Sequence, residues 1–284
     1  TAKQAEIEAI AENAEPPTFE NTVVAMERAG SLLSRVENVF SQLVSANTND
    51  TLDAVDTAMA PKLEALKDRI YLNDKLFQRV KAVHDSAEGK ALTGEDAMLL
   101  KTTYAKFVHR GAELNPAQKT QLKDMNQSIA ALETEFSQKL TAGTDAAAVV
   151  FDSKDQLAGL SDADITAAAK RAADRGMAGK YVLALSNTTQ QPALSQLSNR
   201  DSRKKLFEAS VNRTSHGGEF DTTAIVNELS TLRANKAKLL GLPDFATFQM
   251  YDRMVTSPKQ AQEFMNGFVP ALGSTQSREA GILA

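Results

Sequence analysis

With 284 residues the chain is long enough for one large domain or two modest ones around a substantial core. Its net charge of −4 and scattered Lys and Arg argue against a nucleic-acid partner, which needs clustered cations. Cysteine is absent, which excludes disulfides, thiol catalysis and cysteine-based zinc sites, and no apolar run approaches the roughly 20 residues of a membrane span.

The opening stretch Thr1-Ala2-Lys3-Gln4-Ala5-Glu6 reads as a charged helix rather than a signal peptide. Because it lacks an initiator Met, we expect it to begin inside a longer chain. Pro16-Pro17 ends that helix, and Thr18 can cap a short one that stops at Gly30. Leu32, Leu33, Val36, Val39, Phe40, Leu43 and Val44 then recur every three or four residues, which places them on a single helical face. Asn47-Thr48-Asn49-Asp50 is a polar break and a ready cap. The next helix carries Val55, Met59, Leu63, Leu66 and Ile70, with Pro61 expected to kink or split it. Leu76, Phe77, Val80 and Val83 mark a further helix, and Thr93 with Asp96 has capping-box spacing for one reaching about Arg110. The longest run starts at Asn115-Pro116 and steps through Leu122, Met125, Ile129, Leu132, Phe136 and Leu140 to about Thr141.

After Gly143 the character changes. Two β-prone runs, at about 148–152 and 180–186, flank an Ala-rich helix that Ser161 and Asp164 open and Gly176 closes. They are expected to pair as a small β element. Asn187-Thr188-Thr189-Gln190-Gln191-Pro192 reads as a polar loop. Helices follow from Arg200 to Asn212, from about Ile225 to Gly241, from Asp244 to Arg253, and after Ser257-Pro258 with Phe264, Met265, Phe268 and Val269 as the apolar face. The fold class is therefore mainly α, a multi-helix body with one small β element. The expected division is a helical subdomain 1–142 and a second helical subdomain 143–284 that holds the β element.

Candidate chemistry is sparse. The histidines are His84, His109 and His216, and none has a second histidine three to five residues away to share a metal on a helix. His84 and His109 fall at or near helix ends, where capping or exposure accounts for them. His216-Gly217-Gly218 has the look of an oxyanion loop but has no G-x-S-x-G elbow to serve, so a helix-breaking turn explains it better. Gly176-Met177-Ala178-Gly179-Lys180 lacks the spacing of a phosphate-binding loop. The acidic residues fall on polar helix faces, and Arg203-Lys204-Lys205 reads as a solvated helix face. The chain shows no self-sufficient active site.

Several strings nevertheless resemble dipeptidyl carboxypeptidases, a branch of the thimet oligopeptidase and neurolysin family. They are Thr18-Phe19-Glu20-Asn21-Thr22, Met26-Glu27-Arg28-Ala29-Gly30, Asn47-Thr48-Asn49-Asp50, Ile70-Tyr71-Leu72-Asn73 and Arg110-Gly111-Ala112-Glu113-Leu114. In the same order come Asn187 through Leu194, Lys204-Lys205-Leu206-Phe207 and Leu239-Leu240-Gly241-Leu242-Pro243. The order holds from Thr18 to about Pro270, and the Asn187 to Leu194 stretch is the most specific because helix periodicity does not dictate it.

The resemblance implies a mostly helical zinc peptidase more than twice this length, folded as two halves around a channel for short peptides. It implies zinc held by an H-E-x-x-H helix and a downstream Glu, in a catalytic domain absent from this chain. No catalytic or metal residue carries over, because the sequence has no H-E-x-x-H. The expected role is thus an N-terminal channel-wall portion, inactive alone and binding no zinc itself, of an enzyme that releases dipeptides from peptide C-termini. Its partners would be short peptides and the missing catalytic half. A cytoplasmic or periplasmic setting is expected, the cytoplasm preferred. Asn187, Thr188, Gln190 and Gln191 are the candidates for channel lining, since amides suit peptide-backbone hydrogen bonds; the commoner role for such residues is to brace a loop after a strand. The alternative for the whole chain is a stand-alone helical module that binds peptide or protein without catalysis.

Overall fold

The computed structural model describes residues 2–283. In chain order its elements are α1 (Ala2–Ala11), a π-helical turn (Phe19–Val24) running into α2 (Ala25–Arg28), α3 (Ser31–Asn47), α4 (Asp50–Tyr71), α5 (Asp74–Asp85), α6 (Ala87–Ala91), α7 (Gly94–His109) and α8 (Pro116–Ala146). Then come β1 (Val149–Phe151), a 3-10 turn (Lys154–Leu157), α9 (Asp162–Asp174), β2 (Tyr181–Leu183), α10 (Asn187–Gln196), α11 (Arg200–Val211), α12 (Thr223–Leu239), α13 (Phe245–Gln249) and α14 (Pro258–Leu283). The chain packs as two units: one takes in residues up to Ala130 together with Ser230 onward, and the other is Ala131–Leu229. Among the described residues no helix is long and apolar enough to cross a membrane.

In the first unit the helix starts follow the polar punctuation. Thr18 and Asn21 form a reciprocal capping box, Asn49 accepts from the amides of Thr51 and Leu52, and Asn73 caps α5 through Leu76 N–H. Thr93 does begin α7, but its side chain makes no cap bond, so the Thr93–Asp96 spacing marks the start without supplying the expected chemistry. Pro61 neither ends nor splits α4. Residues 57–59, in the turn preceding the proline, are exposed to water.

The core of this unit joins Ile7 of α1 and Ile70 of α4 to Leu76, Phe77 and Val80 of α5 and Phe107 of α7. Phe107 meets Tyr71 edge-on at 5.1 Å and stacks on Phe77 at 5.9 Å. Burying each such side chain is worth about 1.5–3 kcal/mol, so α5, with its repeat of apolar residues, is the helix that organises the unit. Arg79 of α5 is buried too. Its guanidinium donates to the carbonyls of Asn13 and Glu15 and to the side chains of Asn21 and Thr22, which pins the segment after α1 onto α5.

Not every apolar face is covered. α3 packs on α4, yet Leu32, Val36, Val39 and Leu43 stay about half exposed or more. The same holds for Phe264, Met265, Phe268 and Val269 on α14. The periodicity is as predicted on both helices; what faces the stripe is open.

The second unit is built around the predicted β element. β1 and β2 pair antiparallel with Val149 opposite Leu183 and Phe151 opposite Tyr181. Both strands are shorter than the runs at 148–152 and 180–186 suggest, because Asp152-Ser153 leads into the 3-10 turn and Ser186 leads into α10. The core gathers Phe151, Leu157, Ala168, Leu183, Leu197 and Leu206. Lys205 donates to the Val150 carbonyl at 2.7 Å and lies over the Phe151 ring, while Arg203 donates to the carbonyls of Leu197 and Ser198. Two residues of the basic cluster are thus occupied by backbone. α8 runs past Thr141 to Ala146, and Gly143 within it admits Thr214 and Phe220, whose atoms would lie within 3.0 Å of an added Cβ. The turn after α11 does break at Gly217 and Gly218, both at positive φ.

Candidate functional site

The polar stretch at Asn187 is helix, not loop. Ser186 begins α10, its carbonyl accepting from Thr189 N–H at 3.0 Å and Gln190 N–H at 2.8 Å. The unfavourable Asn, Thr and Pro content is overridden by burial: Gln190, Ala193 and Leu197 point inward at helical spacing. Asn187, Thr188 and Gln191 are exposed, while Gln190 is buried. The four candidates therefore divide between two faces of one helix rather than forming a single polar row.

Thr188 also helps line a small cleft of about 230 Å³ with Leu160, Asp164 and Arg171 of the neighbouring segment and Pro192 and Gln196 of α10 itself. Pro192 has no N–H to give the Thr188 carbonyl, so that acceptor is free of its helical donor. The volume falls below the roughly 300 Å³ at which ligand pockets begin. It suits one side chain or a chain end, with Arg171 and Asp164 offering one charge of each sign.

A second concave region, about 570 Å³, lies within the first unit between α2 and α7. Its walls include Met26, Glu27, Met98, Thr102, Lys106 and Tyr251. Lys106 is held over the Tyr71 ring at 5.3 Å. Met26 and Glu27 belong to one of the strings that carry the resemblance, whereas Met98, Thr102, Lys106 and Tyr251 do not stand out in the sequence.

The strongest electrostatic feature is a polar cluster in the first unit that periodicity does not disclose. Glu64 of α4 meets Lys67 at 3.0 Å and Arg110 at 3.2 Å. Burial works against its charge, but the Lys67 hydrogen bond and the cations of Lys67, Arg110 and Lys236 outweigh it and hold the carboxyl below its usual range. One turn on, Asp68 is buried and accepts from the Asn126 amide at 2.7 Å. Burial pushes its carboxyl up to about 6, with Glu64 adding to the rise and Asn126, Lys236 and Arg110 opposing it.

The histidines are committed elsewhere. His84 stacks on Tyr104 at 4.0 Å and meets Asp85 at 2.9 Å. His109, the last residue of α7, lies against Phe248 and Tyr251 and is pushed down to about 4 by burial and by the charges of Arg110 and Lys236. His216 Nδ1 lies 2.6 Å from the Asn212 carbonyl. Among the described residues no three His, Asp or Glu side chains gather where they could hold a metal ion. The side chains present do not fit a catalytic zinc site.

Comparison with known proteins supplies what the geometry does not. Residues 193–284 match Peptidase family M3. The chain is 42% identical over 268 residues to dipeptidyl carboxypeptidase of Salmonella typhimurium, a match that covers 94% of this chain and 39% of that protein. It is 40% identical over 277 residues to dipeptidyl carboxypeptidase of Escherichia coli, covering 98% of this chain and 41% of that protein. Oligopeptidase A of Haemophilus influenzae is 23% identical over 254 residues, or 88% of this chain and 37% of its own length. The chain thus spans about two fifths of the length of the curated relatives it matches. The similarity extends well beyond the matched family region, through the helices of the first unit that the ordered strings occupy.

Proposed function

We propose that this chain is the N-terminal, channel-wall portion of a zinc-dependent peptidyl-dipeptidase that releases dipeptides from the C-terminus of short peptides. The observation that carries this reading is the 42% identity over 268 residues to a dipeptidyl carboxypeptidase. The bare apolar faces of α3 and α14 support it, since contiguous exposed apolar surface is what a further part of a larger protein would cover. We assign the zinc ligands to sequence outside this chain, because its three histidines are held by rings, a carboxylate and a backbone carbonyl and form no ligand set.

Within that reading the exposed Asn187, Thr188 and Gln191 are the candidates to meet a peptide backbone, and Gln190 holds α10 to the core. The test compares this chain with the same protein extended through its downstream sequence. The extended protein should bind one zinc and release dipeptides from an N-blocked peptide, and this chain alone should do neither. An extended protein that encodes no H-E-x-x-H, or that trims single residues instead of dipeptides, would refute the assignment.

A further inference from the structure

Two of the buried side-chain oxygens without a hydrogen-bond partner belong to one pair of residues: Oδ2 of Asp68 and Oδ1 of Asn126. Their other polar atoms are joined, Asn126 Nδ2 donating to Asp68 Oδ1 at 2.7 Å. Acid and amide therefore meet through one bond while each keeps an idle oxygen, at residues only 4% and 5% exposed. With Asp68 ionised, both idle atoms are acceptors, and neither can serve the other in a site that water does not reach. A single proton on Asp68 Oδ2 would make that oxygen a donor, and the idle acceptor on the residue it already meets is the Asn126 carbonyl oxygen.

We infer that Asp68 and Asn126 form an acid-closed clasp between α4 and α8, a doubly hydrogen-bonded acid–amide ring that opens when Asp68 releases its proton to solvent. The charged groups around it explain why this carboxyl, and not its neighbour, keeps the proton. From its own helix it faces Glu64, whose carboxylate takes Lys67 and Arg110 as direct partners. Arg110, just beyond α7, and Lys236, from α12, are the cations near enough to be felt, and both act on Glu64 as well. From α8 it faces the neutral Asn126 alone by hydrogen bond. Burial and the Glu64 charge outweigh the cations, which sets the proton equilibrium near pH 6.

The position gives the clasp a mechanical consequence. The residues that α4 buries are Asp68 and Ile70, at its C-terminal end, and α3 packs on α4. The clasp thus fastens the root of the α3–α4 hairpin, and its opening loosens the hairpin's attachment.

The folded-state value lies above the ordinary 3.8, so the stabilisation is complete below about pH 4 and is lost as pH rises through 6. Carbon-13 NMR of the full chain, with the Asp68 carboxyl assigned through its backbone, should show that signal titrating near pH 6. D68N supplies an amide that donates and accepts in the same ring with no proton to lose. Its thermal midpoint should lack the component that falls between pH 5 and 7.5 in the wild type, and D68N should be the more stable of the two at pH 7.5. An Asp68 signal titrating near pH 4 overturns the clasp, as does a D68N protein less stable than wild type at pH 7.5.

Discussion

His109 lies with its imidazole 3.6 Å from the ring of Tyr251, the two planes inclined by only 16°, and Phe248 covers the ring's other face at 4.1 Å. The sandwich ties the end of α7 to the short helix α13 and the turn after it. It also keeps the imidazole neutral, since burial and the nearby Arg110 and Lys236 oppose a proton.

A histidine held at about 4 instead of 6.5 makes the folded state refuse a proton that the unfolded chain accepts. Its contribution is therefore present above pH 6.5 and is lost as pH falls toward 4. H109F keeps an aromatic ring in the stack and cannot titrate. Its thermal midpoint should drop less than that of the wild type between pH 7 and pH 5. Asp68 pulls the other way in the same window, so the comparison is between variants at each pH. Equal drops in both proteins would show that the sandwich does not hold in solution.

Arg79 makes four hydrogen bonds at 2.8–3.3 Å to two backbone carbonyls and two side chains. Lysine cannot reproduce that fork, and alanine takes the guanidinium donor from the Asn13 and Glu15 carbonyls and from the buried Thr22 hydroxyl. R79A should lower unfolding free energy by about 3 kcal/mol, and R79K should recover less than half of the loss. Urea denaturation monitored by circular dichroism measures both. A loss under about 1 kcal/mol for R79A would mean that Pro16-Pro17 positions the segment without the guanidinium.

Two glycines at positive φ separate strain from collision. A Cβ at Gly176 (φ +74°) meets nothing within 4 Å, so G176A should cost about 1–2 kcal/mol from backbone conformation alone. At Gly159 (φ +99°) the same atom would sit 2.1 Å from the Gln196 carbonyl oxygen, where Ser198 N–H already returns to the Ala158 carbonyl at 2.7 Å. G159A should be the more damaging of the two and should disturb the cleft next to Leu160. Thermal midpoints decide the order; the reverse ranking would contradict the packing of this loop on the end of α10.

The open face of α14 yields a test of solubility rather than stability. Phe264 and Phe268 meet edge-on at 5.1 Å, yet both are more than half exposed. Replacing both with Glu should change stability by less than about 0.5 kcal/mol each and should reduce binding of an apolar fluorescent dye. A marked loss of stability would show that the face is covered within this chain.

Much of the architecture was legible from residue order. Helix periods, Thr18 and Asn49 as caps, Gly176, Gly217 and Gly241 as stops, and the pairing of the two β-prone runs are local matters. Backbone hydrogen bonding and φ preference decide them within a few residues. Asn187 to Pro192 misled because its composition speaks for a loop, while Gln190, Ala193 and Leu197 bury one side and make a helix of it.

Chemistry was less legible than architecture. From sequence alone came the helical body, the small β element, the lack of an H-E-x-x-H site and the ordered strings that resemble dipeptidyl carboxypeptidases. Tertiary structure alone decided which polar groups left water. By the 3.6-residue period Asp68 points about 140° away from Leu63, onto what reads as the solvated side of α4. It is buried because α8 closes over that side and brings Asn126 to meet it. Periodicity tells which side chains share a face; only the neighbour across that face determines whether a carboxyl there keeps its proton.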